Sequence, residues 1–202
     1  MQLRSDHGDV LLVDVDGDDG QLHPGERAHA DALSPHRRRE WIAGRRALRG
    51  LLGEVGPILA DDRGAPIVPA GFVASVSHKG RWAAALVAPD TGARIGVDLE
   101  LAAPARQDIA PRILTARELA QLPDRGRAVT LRFAIKEAIY KAVDPFVRRY
   151  VTFQEVELEF AGERVTVTSA LPFAIEAAWR EVDGHWLATA RVSAPTFTTI
   201  DR

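Results

Sequence analysis

Twice along this chain a helix-length amphipathic stretch gives way to short strand-length runs, and that order constrains the fold more than any other feature. In the first half a strand is expected at Val10 to Val15, ending in the turn Asp16-Gly17-Asp18-Asp19-Gly20. Residues 25–52 have a helical pattern, with Ser34 as N-cap and Pro35 restarting the helix. A loop-rich stretch follows, containing Gly56-Pro57, Gly64-Ala65-Pro66 and Pro69. Strands are expected at Phe72 to Ser77 and Trp82 to Ala88, joined through His78-Lys79-Gly80-Arg81, and then at Arg94 to Glu100. The second half repeats the theme. A helix is expected at Ala105 to Leu114, and another opens at the capping box Thr115-Ala116-Arg117-Glu118. A longer helix runs from Arg127 to Val143 and stops before Pro145. Strands at Val151 to Phe160, Val165 to Ser169, Ala174 to Arg180 and Trp186 to Val192 complete the pattern, and Ser193 to Arg202 read as a frayed tail. The expectation is α+β: two similar α/β halves, 1–93 and 94–202, with helices packed on antiparallel strands and an internal pseudo-two-fold that no sequence repeat advertises. Halves that already pair as a pseudo-dimer make a monomer the expected state.

Composition removes several function classes. There is no cysteine, which rules out disulfides, thiolate metal sites and cysteine nucleophiles. A net charge of −2 does not suit bulk nucleic-acid binding, and no apolar run reaches the roughly 18 residues of a membrane span. The first residues lack the basic-then-apolar pattern of a signal peptide, so a cytoplasmic location is expected.

Charge type is more telling than net charge. Of 26 cationic residues only three are lysine, and Lys79, Lys136 and Lys141 all fall in two short runs, Ser77-His78-Lys79 and Lys136-Glu137-Ala138-Ile139-Tyr140-Lys141. Lysine is a compact point charge suited to a phosphate oxygen. Between the runs, strand alternation in Gly96-Val97-Asp98-Leu99-Glu100 puts Asp98 and Glu100 on one face and Val97 and Leu99 on the other, so two carboxylates can converge on one cation. Glu137 supplies a third carboxylate, one turn before Lys141 on the same helix face. Three acids able to hold a divalent cation, beside cations able to hold phosphate, point to metal-assisted chemistry on a phosphate ester. Residues 36–49 add six arginines and one acid. Arg38, Arg45 and Arg49 share a broad face there, and Trp41, Ile42, Leu48 and Leu52 point elsewhere.

Taken in order, Gly64-Ala65-Pro66, Ser77-His78, Gly96-Val97-Asp98-Leu99-Glu100 and Phe133-x-x-Lys136-Glu137-Ala138-x-x-Lys141 resemble the Sfp-type 4′-phosphopantetheinyl transferases, over Arg37 to Phe160. The likeness is nearest to the compact subfamily that contains the enterobactin-synthase component and a mycobacterial member. It implies transfer of 4′-phosphopantetheine from coenzyme A to a serine of an apo acyl or peptidyl carrier protein, releasing 3′,5′-ADP. It further implies Mg²⁺ held by Asp98, Glu100 and Glu137, with Asp98, Glu137 and Lys141 catalytic. Lys141 and Lys136 would contact pyrophosphate, and Arg37, Arg45, Arg63, His78 and Lys79 would bind the phosphates of coenzyme A. Glu137 or a metal-bound water would take the serine proton. The chain departs from the family pattern at Ala65, where many relatives have lysine, at Lys79, and at Leu99, where some relatives have a polar residue. Arg148 and Arg149 are expected to face an acidic carrier.

Two rivals remain at this stage: a non-catalytic coenzyme A or carrier-binding protein of the same fold, and a Mg²⁺-dependent phosphohydrolase. Asp14-x-Asp16-x-Asp18 opens like a calcium loop, but Asp19 stands at its sixth position and Gly25 at its twelfth, so it reads as a turn.

Overall fold

The computed structural model describes residues 1–17, 22–122 and 125–194. The upper part of the Asp16–Gly20 turn and the tail beyond Ala194 lie outside the described residues, as does the third acid of the calcium-like run. The elements are β1 (Gln2–Ser5), β2 (Gly8–Asp14), α1 (Pro24–Asp31), α2 (Pro35–Leu52), β3 (Phe72–Lys79), β4 (Trp82–Pro89) and β5 (Arg94–Leu101). They continue with α3 (Ala110–Ile113), α4 (Ala116–Gln121), α5 (Gly126–Val147), β6 (Val156–Ala161), β7 (Arg164–Ser169), β8 (Ala174–Val182) and β9 (His185–Ser193).

The described strands form sheets of order β1-β2-β4-β3, β5-β9-β8 and β6-β7, with every pairing antiparallel. One connectivity occurs twice. β2 leads into α2 and then the β3–β4 hairpin, whose second strand inserts beside β2; β5 leads into α5 and later the β8–β9 hairpin, whose second strand inserts beside β5. The architecture is α+β, and its internal repetition is one of topology rather than of sequence.

Strand alternation distributes the core. On β4, Ala85 and Val87 pack under Ala47 and Leu48 of α2, while Ala84 and Leu86 face the other half. There they meet Ile95, Val97 and Leu99 of β5, with Val10, Leu12 and Leu187, in a core shared by both sheets. The remaining face of β5 therefore turns to α5. Gly96 shows how closely: a Cβ there would lie 1.9 Å from the Ala138 carbonyl oxygen. α5 buries Leu131, Ala134, Ile135, Ala138, Ile139, Ala142 and Val143 against Trp186, Ala188, Ala190 and Val192. The layers run helix, sheet, sheet, helix.

Several boundaries differ from the sequence reading. β1 was not expected; it pairs with β2 from Gln2↔Leu11 to Ser5↔Gly8. The helix expected at Ala105 to Leu114 exists only from Ala110, where the Asp108 carboxylate takes the Ala110 amide and Pro111 fits the first turn. The strand expected from Val151 starts at Val156, because Thr152 and Glu155 close a capping box over a 3-10 turn at Phe153–Glu155. α5 runs through Pro145 to Val147. The missing proline amide falls in the last turn, and Arg148 ends the helix in the left-handed region at φ 47°. Ser34 does stand at the N-cap of α2, but its hydroxyl makes no capping bond.

Two short helices, α1 and α4, each deliver a buried glutamate to the long helix that follows. Glu26 of α1 accepts from the His23 and Ile58 amides and from both Nη of Arg49 at 2.8–2.9 Å. Glu118 of α4 accepts from the Thr115 and Leu158 amides and from Lys136 Nζ at 2.6 Å. Both glutamates are fully buried.

Candidate active site

The site forms where β5 and β3 meet α5. Because Ile95, Val97 and Leu99 are taken by the inter-sheet core, Asp98 and Glu100 face α5, which presents Glu137 and Lys141 one turn apart. Two serines of β3 brace β5: Ser75 Oγ accepts the Val97 amide at 3.1 Å and Ser77 Oγ accepts the Leu99 amide at 3.2 Å.

Asp98 is buried and its two oxygens are used differently. Oδ1 accepts from Ser77 Oγ at 2.8 Å and from Lys141 Nζ at 2.7 Å, while Oδ2 is buried with no partner among the described residues. Lys141 is further fixed by the Val97 carbonyl at 2.9 Å. Glu100 pairs with Lys79 at 2.6 Å. Burial pushes the Glu100 carboxyl above its ordinary range, Lys79 opposes that, and the nearby Asp98 adds to it. Glu137 is likewise pushed up, first by burial and then by Asp98, with Lys141 pulling the other way and Glu100 adding. Among the described residues no three acids or histidines are gathered as a finished metal cage, since Asp98 and Glu100 are each engaged by a lysine.

Two cavities open here, sharing Gly64 of the loop and Val76 of β3. The larger, about 340 Å³, is lined by Glu137, Tyr140 and Lys141 of α5 and by Arg63, Ala65 and Pro66 of the loop. Arg63 grips Asp144 of α5 with a two-pronged pair, one prong being Nε to Oδ2 at 2.6 Å, which ties the Gly64-Ala65-Pro66 loop to the helix. The smaller, about 280 Å³, is lined by Arg37, Glu40, Trp41, Arg45, Ser77 and His78. Arg45 lies 3% exposed, with its guanidinium 4.2 Å over the Trp41 ring, Nε donating to the Ile58 carbonyl, and Nη2 buried without a partner. Burial lowers its pKa to about 10; Glu26 opposes this and Arg49 adds to it. His78 Nδ1 contacts Glu40 at 3.0 Å, and Arg37 reaches the same glutamate at 3.5 Å.

The sequence-derived set thus divides. Asp98, Glu100, Glu137, Lys141 and Lys79 gather around one end of the β3–β5–α5 junction, Arg63 at the larger cavity, and Arg37, Arg45 and His78 at the smaller. Lys136 does not join them. It is 2% exposed and points between α4 and the 3-10 turn, where its three N–H groups go to Glu118, the Ile113 carbonyl and the Phe153 carbonyl. One residue along a helix turns a side chain by about 100°, so Lys136 cannot share the face of Glu137 and Lys141. Arg38, Arg45 and Arg49 also do not form one free face: Arg49 is claimed by Glu26, and Arg45 is buried beside Trp41, its neighbour one turn earlier. Ser77 stood in a motif without a role, and Glu40, the one acid among the arginines of residues 36–49, was not singled out. The i, i+2 spacing of Ser75 and Ser77 on a strand next to an acid-bearing strand was the available signal; for Glu40 it was the isolation of a single acid among six arginines.

Comparison with known proteins follows this geometry. Residues 25–88 match the 4′-phosphopantetheinyl transferase N-terminal domain, and residues 94–194 match the 4′-phosphopantetheinyl transferase superfamily. The 4′-phosphopantetheinyl transferase Npt of Nocardia iowensis is 34% identical over 154 residues, covering 72% of this chain and 69% of the relative. The 4′-phosphopantetheinyl transferase Svp of Streptomyces mobaraensis is 30% identical over 199 residues, covering 88% and 81%. Enterobactin synthase component D of Salmonella typhimurium is 35% identical over 116 residues, covering 52% and 48%. With both halves matched in order and the acidic strand, Lys-Glu helix and arginine-rich helix assembled around one cleft, the chain belongs to the 4′-phosphopantetheinyl transferase superfamily and is a transferase of that type.

Proposed function

We propose that this protein moves the 4′-phosphopantetheine arm of coenzyme A onto a serine hydroxyl of an apo acyl or peptidyl carrier protein, releasing 3′,5′-ADP, with Mg²⁺ bound in the site. The observation that carries this reading is the division of labour on Asp98. Ser77 and Lys141 both hold Oδ1, leaving Oδ2 as a buried, unpartnered acceptor on the strand face shared with Glu100 and opposite Glu137. An unpaired buried carboxylate oxygen beside two carboxyls raised by burial and mutual repulsion is a donor set that a hard divalent cation would relieve. Asp98, Glu100 and Glu137 would hold the ion, which when bound supplies charge neutralisation for the pyrophosphate.

The chain's own groups do the rest. The serine oxygen forms a bond to the phosphorus bearing the pantetheine arm, and the bond from that phosphorus to the bridging oxygen breaks, leaving with 3′,5′-ADP. Glu137, whose carboxyl burial and the nearby Asp98 push above its ordinary range, accepts the serine proton. Lys141 faces the departing charge, and Arg63 and Lys79 border it. Arg37, Arg45 and His78 bind the 3′-phosphate in the smaller cavity, the unpartnered Arg45 Nη2 being available to an anion there. The carrier approaches the outer end of α5, where Arg148 and Arg149 rest in exposed pairs with Asp62 and Glu155. Such pairs are worth about 0–1 kcal/mol, so exchanging them for an acidic partner is easy. On this reading the halves 1–93 and 94–202 supply opposite walls of one cleft, and the protein works as a cytoplasmic monomer; no helix among the described residues is long and apolar enough to cross a membrane.

The test is intact-mass spectrometry of an apo carrier incubated with the protein, coenzyme A and Mg²⁺, with an EDTA control. A gain of one phosphopantetheine that EDTA abolishes is expected. No gain across several carrier classes, with coenzyme A still bound, would replace the reading with that of a binder.

A further inference from the structure

The smaller cavity contains a charge that its proposed role does not explain. A pocket for a phosphate is lined by Arg37, Arg45 and His78, yet a carboxylate sits among them. Glu40 is 8% exposed, and its Oε1 meets His78 Nδ1 at 3.0 Å and His36 Nε2 at 3.2 Å, while Oε2 faces Arg37 Nη1 at 3.5 Å. An acid here would weaken anion binding if it acted only through its charge.

Resting on the reading that this cavity takes the 3′-phosphate of coenzyme A, we propose that Glu40 is a positioning residue that holds His78 by Nδ1, so that Nε2 is presented to the phosphate as an N–H donor. With a carboxylate oxygen 3.0 Å away, Nδ1 is the ring nitrogen whose proton is favoured electrostatically, which leaves Nε2 as the one turned away from Glu40. For Nε2 to donate rather than repel, the ring must carry both protons when the phosphate arrives. The charged groups facing His78 are Glu40 and Arg37 of α2, Lys141 of α5 and Asp98 of β5. Burial lowers the ring below its ordinary value, Glu40 raises it, Arg37 and Lys141 lower it, and Asp98 raises it. Glu40 is the largest influence favouring the doubly protonated ring, and the only one in contact with it. Two arginines against one glutamate keep the cavity net positive, so orientation is gained without making the pocket repel an anion.

The experiment compares coenzyme A with 3′-dephospho-coenzyme A as donors in the carrier-labelling assay, for wild type, Glu40→Gln, His78→Gln and the double variant. Glu40→Gln is expected to raise KM for coenzyme A about tenfold, the size of one lost charge-assisted hydrogen bond, with kcat and the KM for the dephospho donor moving less than about twofold. In the His78→Gln background the same change is expected to add nothing. The preference for coenzyme A should also disappear at lower pH in Glu40→Gln than in wild type, because a ring without its acid partner loses its second proton sooner. A preference that survives Glu40→Gln, or a KM that rises equally for both donors, overturns the role of Glu40 and leaves the 3′-phosphate pocket standing. A wild type that does not distinguish the two donors overturns the pocket reading itself. Should Glu40→Gln fail to fold, Glu40→Asp replaces it: drawing the carboxylate back by one methylene should reproduce the selective rise in KM, and an unchanged preference overturns the proposal.

Discussion

Glu26 and Glu118 hold the same position in two separate capping boxes, one in each half, and are buried for the same reason. Each is the third residue of a short helix, closes its own N-cap amide, takes one further amide from a distant segment, and meets a cation from the long helix that follows. The sequence shows only x-x-Glu after a capping residue, but the structure makes it the point at which each half locks its short helix to its long one. Burying an ion pair is tolerable here because, among the described residues, neither pair leaves a buried side-chain nitrogen or oxygen without a partner.

Glu118→Ala should therefore cost about 3–5 kcal/mol, since it leaves Lys136 charged in the core and strips two amides of their acceptor. Replacing Glu118 and Lys136 together by Leu and Met should recover part of that loss but not all, because the Thr115 and Leu158 amides stay unpaired. Lys136→Met alone should destabilise without a selective rise in KM for coenzyme A. Denaturant midpoints with donor kinetics at low temperature check both; a phosphate role for Lys136 would show as a KM effect at preserved stability.

Asp98→Asn should lower transfer by about 10²–10³-fold, the scale of one lost preorganised electrostatic partner. It should also abolish the rise in Tm expected when Mg²⁺ is added to the wild type. Thermal melts with and without Mg²⁺ read the second effect independently of turnover, and an undiminished Mg²⁺ shift would remove Asp98 from the proposed metal site.

Glu137→Gln should eliminate transfer and at the same time raise Tm in metal-free buffer. Burial and Asp98 push this carboxyl above its ordinary value, so the native state holds the proton more tightly than the unfolded chain. Stability from this group then falls as pH rises from the ordinary value through the raised one, the cost being that of ionising a buried carboxyl beside Asp98. A neutral amide removes that cost. A variant that is both inactive and less stable would show that Glu137 is structural.

His7 predicts the opposite slope. It is buried between the halves, with Nδ1 against Thr189 Oγ1 at 2.8 Å, and burial lowers its pKa below 6.5 despite Glu176 and Asp6. The native state binds this proton less tightly than the unfolded chain, so stability is complete above pH 6.5 and falls as pH drops from there through the lowered value. His7→Asn should flatten that acid limb in pH-dependent melts. An unchanged limb would assign it elsewhere, His78 being next.

What could be read in advance followed physical rules of different reach. Periodicity located β3, β4, β5, α2 and α5 within a residue or two at most ends, because each buries one face. It failed where local chemistry overrode it: Thr152 and Glu155 closed a turn in what looked like a continuous strand, and Pro145 did not stop α5 because its lost hydrogen bond fell at the end. The acid-bearing face of β5 was legible from alternation alone. Lys136 was not, since a lysine adjacent to Glu137 looks the same in sequence whether it points to the cleft or to Glu118. That fate depends on α4, more than a dozen residues away in sequence. The pairings of Arg49, Arg63 and Lys79 with acids 23, 81 and 21 residues distant were beyond reach for the same reason.

Gly96 has no side chain to offer any ligand, yet it sets how near the acids of β5 stand to those of α5. With the Ala138 carbonyl 1.9 Å from where a Cβ would be, strand and helix touch backbone to backbone at the residue two before Asp98 and the residue after Glu137. The gauge of the cleft is thus fixed by bare main chain, which cannot repack or change rotamer as a side chain would. A saturation survey of the protein should show Gly96 as intolerant of substitution as the acids themselves, and no adjustment of neighbouring side chains should rescue alanine there.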